Sequence, residues 1–185
     1  MRPTQRNPDS GVAVLRWDLD HLRDAAVARA AATPVLRRTM RGREANEVGA
    51  LGELVALDYL TTLGVDAQDT PTTGYDLTTP FGTIDVKTKE RSVRPRPDYD
   101  CTVADYVLDH QRPSWYLFVS LESTGGKGMD RFTTGWVLGT ISRAEFERAS
   151  VEWTPADRDT TNGWVPTIAC HNVRVRDLRP PRALT

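Results

Sequence analysis

The stretch Gly74 to Glu90, GYDLTTPFGTIDVKTKE, is the segment that most limits how this chain can fold. Tyr75 to Thr79 and Thr83 to Lys89 are both rich in β-branched and aromatic residues, and Pro80-Phe81-Gly82 between them is turn chemistry, so a β-hairpin is expected. Side chains alternate along a strand with a period of two. Ile84, Val86 and Thr88 therefore share one face, and Asp85, Lys87 and Lys89 share the other. The apolar face can be buried while the charged face lines a cleft. Asp76 flanks the same turn from the first strand, and a matching register brings its carboxylate across from Asp85.

Two carboxylates a few ångströms apart repel each other, which raises one pKa unless a divalent cation sits between them. Mg²⁺ is hard and prefers oxygen ligands, so Asp76 and Asp85 suit it, with Mn²⁺ as a substitute. Lys87, two residues along on the same face, is placed to orient an attacking water or to steady charge developing on a phosphate. A charged face alternating with Ile and Val also describes any solvent-facing amphipathic strand, so the motif alone leaves both readings open.

An acidic residue on the preceding helix changes that balance. Arg43 to Leu60 is the strongest helical pattern in the chain, with Val48, Leu51, Val55 and Tyr59 on one face and Gly64 as a stop. Gly49 and Gly52 inside it each cost about 1 kcal/mol relative to alanine, which points to close packing on a sheet. With Ala50 and Ala56 they leave small surfaces around Glu53, so the helix can deliver that carboxylate to the cleft.

The remaining chain supplies support. At 185 residues with 39% hydrophobic content, one domain with a core is expected. The formal charge of −1 excludes a broadly basic nucleic-acid coat and shifts attention to local clusters. Arg37, Arg38, Arg41 and Arg43 precede the long helix, and Arg91, Arg94 and Arg96 follow the hairpin among prolines. Either group, with Lys89, could follow a DNA backbone or be a solvated loop, and the positions beside the hairpin favour DNA contact. Cys101 and Cys170 have no metal-binding spacing and fit a reducing compartment. No apolar run reaches membrane-span length and no secretory signal pattern is visible, so a cytoplasmic protein without a membrane partner is expected.

Ahead of the long helix, Leu19, Leu22, Ala26 and Ala30 form an apolar stripe on an added helix that starts near Asp18. Cys101 to His110 reads as a short helix, Trp115 to Leu121 as a buried central strand and Thr134 to Ile141 as another strand. Ser142 and Glu145 form a capping box. Trp164 to Ala169 and Val173 to Leu178 read as short strands, with Trp153 and Trp164 as lids on the core or, less simply, as platforms for bases.

A helix bearing an acid, an Asp near a turn and then D-x-K on the next strand resembles the PD-(D/E)XK nuclease superfamily, over roughly Glu44 to Lys89. The resemblance implies an α/β fold: a mixed central β-sheet flanked by helices, a restriction-endonuclease-like core over residues 43–185 with an N-terminal tail and helical extension over 1–42. Asp76 and Asp85 resemble the metal-binding acids, Lys87 the lysine and Glu53 the helix glutamate, while Val86 would lend a carbonyl to the metal. Tyr75 stands where the family often has proline, a change that touches no ligand. The activity implied is Mg²⁺-dependent hydrolysis of DNA phosphodiester bonds. Small size and the lack of a recognisable reading domain favour a structure-selective or accessory nuclease of phage or mobile-element type over a sequence-specific restriction endonuclease. A homodimer would suit double-strand or junction cleavage. The rival is a non-catalytic module that binds nucleic acid or protein on the same fold.

Overall fold

A computed structural model describes residues 14–33, 43–70, 72–159 and 163–180. In chain order the elements are β1 (Leu15–Trp17), α1 (Arg23–Ala32), α2 (Arg43–Thr62), β2 (Gln68–Asp69), β3 (Leu77–Thr79), β4 (Gly82–Arg91) and β5 (Asp100–Ala104). They continue with α3 (Asp105–His110), β6 (Trp115–Ser123), β7 (Phe132–Ser142), α4 (Arg143–Ala149), β8 (Val151–Trp153) and β9 (Cys170–Arg174). Six strands form one mixed sheet in the order β1-β7-β6-β4-β3-β2. The β4–β6 pair is parallel and the other pairs are antiparallel. The expected α/β class, a mixed sheet flanked by helices, is what the chain adopts.

The hairpin forms as its turn chemistry dictates. Thr79 pairs with Gly82, Thr78 with Thr83 and Leu77 with Ile84, leaving Pro80 and Phe81 at the tip. Gly82 has φ of +115°, and a Cβ there would meet Ser114 Oγ at 2.5 Å, so the position demands glycine. Regular pairing begins at Leu77, two residues later than the sequence pattern implies, although Asp76 N–H still donates to Ile84 C=O at 2.9 Å.

Alternation along β4 divides the molecule into layers. On one face Ile84 and Val86 join Leu117 and Val119 of β6 beneath Leu51, Val55 and Tyr59 of α2, and Leu19, Leu22, Ala26 and Ala30 complete that core. The apolar stripe before the long helix is thus entirely used, but α1 itself begins at Arg23, with a turn between Asp18 and Leu22 in place of the expected first helical turn. On the other face Tyr116, Phe118 and Trp136 pack with Phe146 of α4 and with Val103 and Val173.

That second layer includes a small sheet of order β5-β9-β8, which the sequence pattern did not foretell. Cys101 to Ala104 is strand, so the helix expected over Cys101 to His110 is confined to Asp105–His110. Cys101 and Val103 are buried between half-buried neighbours, a period of two, and β9 supplies the partner strand from about seventy residues away. Trp164 to Ala169 is not a strand, consistent with Pro166, which cannot donate to a ladder. The predicted strand Val173 to Leu178 is replaced by β9 and a 3₁₀ turn over Val175–Asp177.

β6 is the buried central strand that its apolar run requires, lying between β4 and β7. The Ser142 capping box is complete, with Ser142 Oγ accepting from Glu145 N–H and Glu145 Oε2 accepting from Ser142 N–H. Arg131 ties the layers: its buried guanidinium reaches Glu44 of α2 at 3.0 Å and Glu90 of β4 at 3.2 Å, and donates to Gly128 C=O at 2.5 Å. No helix among the described residues is long and apolar enough to cross a membrane.

Candidate active site

The close approach of α2 to the sheet is built on Gly52. A Cβ at that position would fall 1.8 Å from Thr88 Oγ1 of β4, so only glycine permits this spacing, one residue before Glu53. Gly49 has no such constraint, since a Cβ there would meet nothing nearer than Glu53 Oε1 at 3.9 Å.

Regular pairing ends at Leu77 and Ile84, and Asp76 lies next at a bend, where its N–H still donates to Ile84 C=O at 2.9 Å, which keeps its carboxyl near enough to Asp85 for the two charges to interact. Asp76 is anchored by Val86 N–H, which donates to its Oδ2 at 2.7 Å. Asp85 is buried, and its Oδ2 lies 2.6 Å from Lys87 Nζ, an ion pair without hydrogen-bond alignment. The two-residue spacing on one strand face thus does what the sequence implies, holding Asp85 and Lys87 together. Val86 lies between them in β4 with its side chain in the opposite, apolar layer.

Glu53 approaches from α2, where it is held by Arg29 of α1 at 2.5 Å. Arg29 also makes a two-pronged contact with Asp69 of β2, at 2.5 and 2.8 Å. Arg29 and Asp69 are site residues that sequence reasoning missed. The arginine is half-buried beside Ala26 and Ala30 on an alanine-rich helix, and no local spacing ties it to a glutamate twenty-four positions later.

Electrostatically the carboxylates form one group. Burial pushes the Asp76 carboxyl up to about 8, with the charges of Glu53 and then Asp85 adding to the effect and the Val86 N–H and Lys87 opposing it. Burial also raises Glu53, Arg29 pulls it back, and Asp69 and Asp85 push it up. A cluster with this excess of carboxylate is one that a small divalent cation would relieve. The neighbouring Asp85 and Asp76 carboxyls would suit such an ion, which would share Asp85 Oδ2 with the Lys87 ammonium, while Glu53 is turned towards Arg29. Among the described residues no three His, Cys, Asp or Glu side chains already converge as a metal-ligand group.

The basic positions separate. Arg37, Arg38 and Arg41 lie outside the described residues, and Arg43 opens α2. Lys89 continues the Asp85 and Lys87 face and stands over the Trp164 ring at 5.3 Å. Arg91 lies over Tyr99 at 4.6 Å and donates to Asp100 C=O at 2.7 Å. Arg94 is exposed and stacks on Trp136 at 4.8 Å, and Arg96 is exposed on the same irregular loop.

Cys170 is buried, while the next residue, His171, is half-buried and reaches Asp105 at 3.2 Å. No family model, curated protein or solved structure matches the chain.

Proposed function

We propose that this chain is a Mg²⁺-dependent DNA nuclease with a restriction-endonuclease-like core, Mn²⁺ serving as a substitute. The observation that carries the reading is the Lys87–Asp85 pair at 2.6 Å on a strand to which the Asp76 carboxyl is tied by the Val86 N–H at 2.7 Å. The order of elements agrees with it: a long helix α2, the antiparallel β2, β3 and β4, then a crossover to the parallel strand β6.

Asp76 and Asp85 would hold the ion, with the Val86 carbonyl and Glu53 completing the set. When bound, the ion would neutralise the paired carboxylates, lower the pKa of water and offset charge at the phosphorus. Lys87 is the residue that acts on the reacting atoms, directing its ammonium at the attacking water or at a phosphate oxygen. Asp85 orients that ammonium, and Val86 N–H fixes the Asp76 carboxylate. Lys89, further along the same face, steadies the neighbouring phosphate.

The expected substrate is a structured DNA, in keeping with a structure-selective or accessory nuclease of phage or mobile-element type, and a homodimer would supply two sites for paired cuts. The test is cleavage of linear, circular, single-stranded and branched DNA with Mg²⁺, Mn²⁺ or EDTA, comparing the wild type with Asp85→Ala and Lys87→Ala. Metal-dependent cutting lost in both variants supports the reading. Silence of the folded protein on every substrate in Mn²⁺ overturns it.

A second reading rests on Arg29. Its guanidinium already satisfies Glu53, as it would in a non-catalytic nucleic-acid- or protein-binding module that keeps the fold. A sequence-specific restriction endonuclease differs from both in cutting duplex DNA at a fixed sequence.

A further inference from the structure

Beyond Lys87, the charged face of β4 runs into two contiguous cavities. The inner one, about 240 Å³, has Lys87 at its wall together with Phe118, Leu138 and Thr102. It shares Lys89, Arg91, Asp100 and Trp164 with an outer cleft of about 870 Å³. The outer volume lies within the range of small-ligand sites. Asp85 and Lys89 are four residues apart on one strand, so the cleft begins about 13 Å from Asp85 at roughly 3.3 Å per residue.

Three features define what this space would take. Its aromatic rings are interleaved with cations, Lys89 over Trp164 and Arg91 over Tyr99. Its inner wall is largely apolar, yet Thr102 Oγ1 and Arg91 Nε are buried there without a hydrogen-bond partner among the described residues. The two atoms of the Asn172 amide, cross-strand from Thr102, are also buried and unpaired. Orphaned donors and acceptors beside an apolar, aromatic chamber match a flat heterocycle with polar edges.

The charge balance excludes a duplex coat. Arg96 and Arg176 are exposed on the outer rim, but Asp98 and Asp159 line the same cleft and Arg174 is paired with Asp100 at 3.0 Å. A nearly neutral cleft with aromatic platforms holds a few nucleotides by stacking, with only one or two phosphates gripped.

We propose that this cleft binds an unpaired nucleic-acid strand, its bases against Trp164 and Tyr99 and its phosphates on Arg96 and Arg176, feeding that strand towards Lys87. This rests on the nuclease reading for its role and narrows the substrate to single strands, overhangs or frayed ends.

The experiment is fluorescence anisotropy of the full chain in EDTA with labelled single-stranded DNA, single-stranded RNA, blunt duplex and duplex with a single-stranded extension. A polyglutamate peptide is the competitor. The wild type should bind single strands and extensions at least tenfold more tightly than blunt duplex. Trp164→Ala should lose about 5- to 150-fold on single strands, the usual effect of one stacked base, with little change on duplex. Trp164→Phe should keep most of the affinity, which separates stacking from misfolding. Arg176→Ala should flatten the salt dependence by about 0.7 in log–log slope. Equal affinity for duplex and single strand, equal loss on both with Trp164→Ala, or competition by polyglutamate as effective as by oligonucleotide would overturn the proposal. Because no metal is present, the result stands apart from catalysis. Strand binding without cleavage in Mn²⁺ leaves the cleft assignment intact and removes the nuclease reading, whereas cleavage without strand preference does the reverse.

Discussion

Arg29 of α1 closes on Glu53 of α2 at 2.5 Å and on Asp69 of β2 at the same distance, so one guanidinium from outside the hairpin balances the acids beside the candidate active site. The cation occupies the carboxylate that a metal would otherwise share. Arg29→Met should therefore lower the melting temperature of the metal-free protein and enlarge the stabilisation produced by added Mn²⁺. Thermal denaturation with and without Mn²⁺ reads both effects, and an unchanged Mn²⁺ response would remove Arg29 from the site.

Lys87 should matter to rate, and its removal should also cost stability, because it leaves the buried Asp85 without its cation. Lys87→Ala is expected to lower kcat by about 10²- to 10³-fold, the usual effect of removing one group aimed at developing charge. Single-turnover cleavage at saturating Mg²⁺ checks it. Asp85→Asn should be at least as damaging and should also weaken Mg²⁺ dependence.

Asp76 sets the pH behaviour of the metal-free protein. Its carboxyl is raised to about 8 in the folded state, mainly by burial, against about 4 in an unfolded chain. The folded state therefore favours the protonated form. The resulting stability is complete below about pH 4 and is lost as pH rises towards and through 8. Asp76→Asn should stabilise the metal-free protein at pH 8 by up to a few kcal/mol and change little at pH 4, while abolishing cleavage. Urea denaturation at the two pH values distinguishes this from a pH-independent effect.

Gly52 and Gly49 make an internal comparison within one helix. Gly52→Ala drives a methyl into Thr88 and should destabilise by about 1–3 kcal/mol through overpacking. Gly49→Ala meets open space and should stabilise by up to about 1 kcal/mol through helix propensity. Chemical denaturation of both variants tests whether the helix-to-sheet spacing is fixed at Gly52.

Arg131 is the buried cation shared by Glu44 and Glu90, with a side chain only 1% exposed. Arg131→Met removes that shared charge and should cost about 3–5 kcal/mol. Loss of stability much smaller than this, measured by urea denaturation, would mean that the carboxylates relax into solvent.

The sequence by itself determined the hairpin and the face shared by Asp85, Lys87 and Lys89, because the strand period places side chains once a strand is recognised. The hairpin's register was settled by the structure, where Gly82 leaves the expected three-residue turn and pairs with Thr79. The sequence likewise determined α2, the buried β6 and the capped α4, although Gly49 and Gly52 read alike there as marks of close packing where only Gly52 makes it. Only the tertiary structure decided that Arg29 reaches Glu53, that Cys101 to Ala104 becomes strand, and that Trp164 lies against Lys89. Those pairings join segments far apart in the chain. Their free energy comes from burial and charge compensation that exist only once the layers have packed, so no local pattern carries them.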